Sequence, residues 1–348
     1  VCAGSIVTWF IKTFLLNIAG FLVWLSANML NYSIQVRILN FSKWAPDTLY
    51  PIWIVIRQIV SLFIVFAGLY LGLMYIIGKD EKFEKYIPWV VIFALFVNFS
   101  YPLARTAIDV SNVISLNIYA SAVGNDALTG TGKNTAGALI MNRLGLKDLV
   151  FSATKETTTI STNMVTSISS VPGALMAVLF VVYAAYIFFM VTALIIMRTV
   201  ALVFLTIASP ILFVDSVIPK LGDKAVELRK IFFEQLAVGP IFMIMLALTL
   251  KFLDVFSGAA KTTIAGSDAT IVEFFNIAMM LIMLHIMLKV TKETAGSVGQ
   301  MATNAMGKVG GFAGGMALGG AGMLGRAGIG RLAAKARDSG WMTSKQGG

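Results

Sequence analysis

One uncharged stretch constrains this chain more than any other feature of its sequence. It holds 26 uncharged residues (Pro172–Met197), then Arg198, then 16 further uncharged residues (Thr199–Val214). At ~1.5 Å of rise per residue, the first run forms a helix of about 39 Å, long enough to cross a ~30 Å hydrocarbon core. The second run reaches only about 24 Å, and Ser209 and Pro210 within it predict a broken or re-entrant helix. The chain is therefore predicted to be an integral membrane protein.

Composition supports the same class. Hydrophobic residues make up 58% of the 348 residues and charged residues 13%, whereas soluble domains carry roughly 25% charged residues. The single cysteine and single histidine exclude an intrachain disulfide and a Cys/His metal cluster. The sequence offers no nucleophile–base pair and no cofactor motif, so we expect a protein that is not an enzyme and binds no cofactor. The net charge of +10 favours a positive-inside bias and leaves contact with nucleic acid or anionic lipid open.

Apolar runs predict six membrane spans, with Thr199–Val214 as an additional re-entrant segment. The spans are Thr13–Leu30, Ile52–Gly78, Ile87–Tyr101, Gly173–Met197, Leu236–Leu250 and Ile271–Leu288. Beyond Pro102, residues Leu103–Tyr119 continue an amphipathic helical pattern. The predicted fold class is an all-α integral membrane protein with about six transmembrane helices and one broken helix.

The chain divides into four regions. Residues 1–120 hold three spans and the amphipathic extension, and residues 121–171 form a polar extracytoplasmic loop. Residues 172–293 hold the remaining spans with the broken helix, and residues 294–348 form a basic, Gly/Ala-rich cytoplasmic tail. Basic residues follow the second span, the broken segment and the last span. The positive-inside rule places all three groups in the cytoplasm only if the broken segment enters and leaves on one face.

The same rule places the N-terminus in the cytoplasm, and a cleaved signal peptide ahead of Val1 would reverse that orientation. Both possibilities remain open from the sequence.

Arg198 is the strongest candidate site residue, because intramembrane charge is costly and needs a reason. It ends the long apolar run and opens the broken segment. It could anchor a helix end at the lipid headgroups, or it could bind backbone carbonyls freed around Ser209 and Pro210.

A second candidate is a polar stripe that begins in the third predicted span and continues along the amphipathic helix that follows it. Arg105 and Asp109 can pair at i, i+4, and Asn98 and Asn112 extend the same face. We expect this stripe to face the helix bundle, where it is either structural or lines a pathway.

The broken segment also predicts an assembly. A helix interrupted near Pro210 frees backbone groups that are costly in lipid. A closed homo-oligomer is the commonest way to build a lined cavity for them. We therefore expect a homo-oligomer in which this segment lies toward a shared central axis.

The sequence RTVALVFLTIASPILFV, from Arg198 to Val214, carries a family resemblance. With the long span before it and a basic amphipathic stretch and further spans behind it, it resembles the TrbL family. These are polytopic inner-membrane proteins of type IV secretion and conjugation machines. The resemblance covers Pro172–Leu288 and extends to the polar central loop and the Gly/Ala-rich tail. It departs at Phe232 and Phe233, where the family often carries a tryptophan.

The resemblance implies a homo-oligomeric subunit of the bacterial inner membrane that helps pass DNA or protein across it. It also implies other subunits of the apparatus, including cytoplasmic ATPases, as partners, with transient contact to the substrate. A secondary transporter or ion channel, and a platform without a pore for a pilus or DNA-uptake machine, remain as alternatives.

This topology makes a prediction for the polar loop, Ser121–Val171. Protease added outside spheroplasts should cut within it, because it is the one inter-span region large and polar enough to leave the bilayer. Fragment sizes on a blot check the position of the cut. Complete protection until the cells are lysed would reverse the predicted orientation.

Overall fold

The computed structural model describes residues 14–39, 41–78, 83–124, 135–144, 171–212, 219–259 and 269–308. Within these ranges the chain is almost entirely helical and forms no strand, which confirms the all-α class for this part of the protein. The Ser/Thr-rich half of the predicted loop (152–170) and the glycine-rich tail from 309 lie outside the described residues. Internal packing divides the chain into a unit of residues 1–300 and a second unit of residues 301–348.

The helices follow one another in a simple order. They are α1 (Leu16–Ser33) with a π-helical continuation (Ile34–Leu39), α2 (Phe41–Ile76), α3 (Phe83–Val123), α4 (Ala136–Arg143), α5 (Val171–Ile207), α6 (Ser209–Leu212), α7 (Pro219–Ala259) and α8 (Ala269–Thr294). Gly78 and Gly124 follow the ends of α2 and α3 with φ angles of 70° and 102°. This left-handed backbone ends a helix at low cost only for glycine.

Within the described ranges, four helices are long and apolar enough to cross a bilayer. Their candidate spans are Thr48–Ile76 in α2, Pro88–Val123 in α3, Leu175–Ile207 in α5 and Lys224–Val255 in α7. They overlap four of the six predicted spans. Helices α1 and α8 overlap the first and last predicted spans but are not among these four candidates. Six crossings therefore remain a prediction.

The predicted helix end at Arg198 is wrong. Helix α5 runs through this residue without interruption to Ile207, over 37 residues or about 55 Å. The break comes at Ala208, after which Ser209 opens the four-residue α6. Pro210 supplies the reason, because it lacks an amide hydrogen and its ring clashes with the carbonyl four residues earlier. Most of the predicted re-entrant segment thus belongs to the same helix as the span before it.

Helices α3 and α7 are each 41 residues long and contain internal prolines: Pro88 and Pro102 in α3, Pro240 in α7. At about 61 Å each, both exceed the ~30 Å hydrocarbon core. Part of each helix must therefore lie beyond the lipid tails, even when the helix is tilted.

Helix α5 forms the centre of the first unit. In the most apolar 18-residue stretch of α5, 61% of the residues are buried, whereas 6% are buried in the corresponding stretch of α2. Helix α1 packs along α5, α2 packs on α3, and α7 packs against α3 and α8. The outer face of α2 presents large apolar side chains such as Leu62, Phe66 and Leu69, each more than half exposed. We expect this face to meet lipid.

Part of the predicted polar loop is docked on the bundle. The Asn31 side chain of α1 donates from Nδ2 to Thr135 Oγ1 at 2.8 Å and accepts from the Gly137 amide at 2.8 Å. Ala136 and Ile140 of α4 are fully buried. Residues 135–144 therefore pack against helices and do not form a free external loop, because one face of α4 is apolar and buried.

This docking requires a residue without a side chain at Gly137. A Cβ atom there would lie 2.8 Å from the Ala27 carbonyl oxygen. We expect Gly137→Ala to cost about 1–3 kcal/mol through overpacking, measured as the thermal unfolding midpoint of detergent-purified protein. Gly72→Ala is the matched control, since nothing lies within 4 Å of a Cβ at that position. Equal behaviour of the two variants would contradict the docking.

Candidate functional site

The guanidinium of Arg198 is fully buried and joins three helices. From α5, Nε donates to the Gln235 carbonyl of α7 at 2.9 Å. On α3, Nη2 donates to Asn112 Oδ1 at 3.2 Å and to Ser111 Oγ at 3.3 Å. One side chain therefore fixes the mutual position of α3, α5 and α7.

The position of this contact on α7 follows from Pro240. A proline has no amide hydrogen, so the carbonyl of Leu236, four residues earlier, has no donor within its own helix. Ser111 Oγ donates to that carbonyl at 2.6 Å. Arg198 bonds the neighbouring carbonyl, at Gln235. Side chains of α3 and α5 thus donate hydrogen bonds to the carbonyls four and five residues before the proline.

These contacts correct both expectations for Arg198. The guanidinium is fully buried, so it does not anchor a helix end at the headgroups. It binds the Gln235 carbonyl, which precedes the Leu236 carbonyl that Pro240 leaves without an amide donor, and it does not bind carbonyls around Ser209 and Pro210. The sequence could not predict this partner, because Gln235 is distant along the chain and only packing brings it to Arg198.

The close approach of α5 to α7 depends on Gly239. A Cβ atom there would lie 2.8 Å from Arg198 Nη2 and 2.8 Å from Ser115 Oγ. Ser115 in turn donates to the Ser111 carbonyl on the same helix at 2.8 Å. We call the residues that surround the guanidinium the Arg198 cluster; they are Ser111, Asn112, Ser115, Arg198, Gln235 and Gly239.

The cluster continues to the end of α8 through Gln235. Its Nε2 donates to the Ala295 carbonyl at 3.0 Å, one residue past the helix. The next residue, Gly296, has a φ of +53°, and a Cβ there would collide with the Glu234 carboxylate. Glycine therefore lets the end of α8 turn against α7.

Among the residues that the structure describes, no carboxylate pairs with the guanidinium of the cluster. The nearest acid along α7, Glu234, lies 4.0 Å from Lys230 Nζ. Among the described residues, the acceptors that Arg198 reaches are all neutral. Three buried side-chain atoms of the cluster have no hydrogen-bond partner in the described part of the chain: Arg198 Nη1, Asn112 Nδ2 and Gln235 Oε1.

A second polar contact surrounds the break between α5 and α6. Ser209 Oγ donates to Ser100 Oγ at 3.2 Å, and Trp53 Nε1 donates to the same oxygen at 3.0 Å. The guanidinium of Arg57 lies 5.0 Å from the Trp53 ring centroid, within cation–π range. The break is therefore held by α2 and α3.

Burial at this break corrects a further expectation. Ser209 is fully buried and Pro210 is also buried. One subunit shelters the interrupted backbone, so no shared axis between subunits is needed to cover it.

The predicted polar stripe on α3 is divided between two environments. Asn112 is buried in the Arg198 cluster. Asn98 is exposed and bonds the Ala94 carbonyl of its own helix. Arg105 Nε and Asp109 Oδ2 lie 3.7 Å apart, with side chains 47% and 37% exposed. Asn112 follows Asp109 by three residues, so the two side chains point about 60° apart around the helix axis. This difference is enough to place Asn112 in the buried face of α3 and Asp109 outside it.

The sequence did not identify four residues of these sites. Each is an isolated polar residue in an apolar helix, and no local pattern distinguishes it: Ser100, Ser111, Ser115 and Gln235. The available signal was the Gly239-Pro240 pair within an apolar run, because that pair predicts a kink whose carbonyl needs an outside donor.

Comparisons with known proteins add no assignment. The chain matches no protein family, no curated protein and no solved structure. Within the described ranges, no group of His, Cys, Asp and Glu side chains is placed to hold a metal ion. The function of the site is therefore inferred from its geometry alone.

The serine–proline contact makes a prediction that a double-mutant cycle can test. Ser111→Ala should cost about 1 kcal/mol, because it leaves the part-buried Leu236 carbonyl without its donor. In a Pro240→Ala background the helix regains its own amide, so the same substitution should cost clearly less. Thermal or denaturant unfolding of the purified protein measures both.

Ser121→Ala is the matched control, since Ser121 is exposed and bonds only its own helix. An identical cost of Ser111→Ala in both backgrounds would show that the Ser111 hydroxyl does not compensate for the amide that Pro240 lacks.

Proposed function

We propose that this chain is a channel or scaffold subunit of a type IV secretion or conjugative transfer apparatus. In this proposal it sits in the bacterial inner membrane as a homo-oligomer and helps pass DNA or protein across. One observation carries the proposal: the Arg105–Asp109 pair and Asn98 are exposed on α3, a helix apolar enough to cross a bilayer.

An exposed charge on such a helix needs water or protein around it. At the centre of a spanning helix a charged side chain costs roughly 2.5–3.5 kcal/mol on insertion scales. The opposite side of α3 already packs against α2 and α7. The exposed side must therefore face an aqueous path or another subunit, and a closed homo-oligomer supplies both.

The Arg198 cluster supports this arrangement from the inside. Ser111 and Asn112 fix the rotation of α3 by bonding to α7 and α5. With its inner face held, α3 presents Asn98 and Arg105 outward. We accordingly assign the exposed face of α3, in place of the buried break at Pro210, to the shared axis.

The remaining elements of the proposal follow the resemblance to the TrbL family. They are six crossings, the polar region 121–171 outside the cell, and a cytoplasmic tail. The expected partners are the lipid bilayer, other subunits of the apparatus including cytoplasmic ATPases, and transiently the transported DNA or protein.

A secondary transporter or ion channel is the second candidate. The observation that favours it is the fully buried Arg198, because ionisable groups inside a bundle often mark a substrate or ion pathway. Liposomes that contain the purified protein separate the two functions. Steady flux of small ions or solutes without other subunits would support the transporter.

The exposed face of α3 gives a direct test of the conduit. Replacing Arg105 and Asp109 together by leucine removes both charges and leaves neither unpaired. We expect DNA transfer or protein secretion to fall by about tenfold or more, while the amount of protein in the membrane is unchanged or higher. Complementation of a strain that lacks the gene measures both.

Val113→Leu is the control on the same helix, since it is apolar and more than half exposed. In a Cys2→Ala background, cysteine at position 98 should also form an intersubunit cross-link. Wild-type transfer by the leucine pair, or the absence of any cross-linked species in native membranes, would reject the assignment.

A further inference from the structure

In the described part of the chain, the buried side-chain atoms that lack a hydrogen-bond partner lie in one place. The three buried side-chain atoms without a partner among the described residues all belong to the Arg198 cluster. Two are donors, Arg198 Nη1 and Asn112 Nδ2, and one is an acceptor, Gln235 Oε1. Their side chains are all more than nine-tenths buried.

Reversing the two amides does not remove these unpaired atoms. Asn112 Oδ1 accepts from Arg198 Nη2, so a reversed amide would place two donors face to face. Gln235 Nε2 donates to the Ala295 carbonyl, so reversal there would oppose two acceptors. The partners of each amide therefore fix its orientation.

The two unpaired donors lie beside one contact. The edge of the guanidinium formed by Nε and Nη2 is occupied by Gln235, Ser111 and Asn112. Nη1 shares its carbon with Nη2, and Asn112 Nδ2 shares its carbon with Oδ1. Both free donors thus adjoin the 3.2 Å contact between Nη2 and Oδ1.

The charge of the cluster decides what kind of ligand fits. A guanidinium stays protonated in proteins, and a buried cation without a counter-charge costs more than an unpaired neutral group. The described acids nearby are engaged elsewhere, since Glu234 faces Lys230 and Asp109 faces Arg105. A water molecule would satisfy the free donors and leave the charge uncompensated.

We propose that the Arg198 cluster binds one small monovalent anion of the chloride class, held by Arg198 Nη1 and Asn112 Nδ2. One negative charge balances the one guanidinium, whereas a multiply charged anion would leave an excess of buried charge. Gln235 Oε1 needs a donor and takes a water molecule. The proposal is independent of the conduit function, because it concerns the inner face of α3.

A titration of the full-length protein in detergent tests the site. Chloride replaces gluconate at constant ionic strength, and the thermal unfolding midpoint is followed. We expect a saturable rise for the wild type. In Asn112→Asp a carboxylate stands beside the guanidinium and takes the place of the anion, so the midpoint should no longer respond to chloride. Asn98→Asp, exposed on the same helix, should respond as the wild type does.

Two outcomes would overturn the site. One is a wild-type midpoint that does not change with chloride. The other is an Asn112→Asp protein that responds as strongly as Asn98→Asp, which would assign the unpaired atoms to water alone. If Asn112→Asp does not fold, Asn112→Ala replaces it, and the chloride concentration at half-saturation should then rise at least about tenfold, equivalent to one lost donor. An unchanged half-saturation would likewise reject the proposal.

Discussion

The arrangement of this bundle depends on the donation from the Arg198 guanidinium to the Gln235 carbonyl of α7, five residues before Pro240. Proline interrupts the backbone hydrogen bonds of α7 and leaves the part-buried Leu236 carbonyl without an amide donor. Arg198 and Ser111 supply donors at two successive carbonyls from two other helices. These contacts near the interruption in α7 thereby fix the mutual position of α3, α5 and α7.

These contacts give α3 an inner face, which packs within the bundle, and an outer face, which is exposed. Ser111 and Asn112 hold the inner face against α7 and α5. Arg105 and Asn98 are then left on the outer face, where lipid alone would be an unfavourable neighbour. In the proposed function, this outer face lies toward the shared path.

The sequence predicted the helical class and the position of the proline break well, and it located partners poorly. Long uncharged runs and Pro210 are local signals, because hydrophobic length and proline geometry act within one helix. Arg198 was identified as important for the same local reason, its place in an apolar run. Its partners Gln235 and Ser111 could not be found, because they are single polar residues that become a site only when α3 and α7 meet.

The sequence by itself therefore determined that the chain is a helical membrane protein, that four of its predicted spans lie in long apolar helices, and that a charge lies within one of them. Each of these follows from hydrophobic length and residue chemistry along one segment. Only the tertiary structure decided that Arg198 bonds the Gln235 carbonyl, that the break at Pro210 is covered within one subunit, and that Arg105 faces outward. These depend on helix rotation and on contacts between residues far apart in the chain, which side-chain packing fixes and local sequence does not encode.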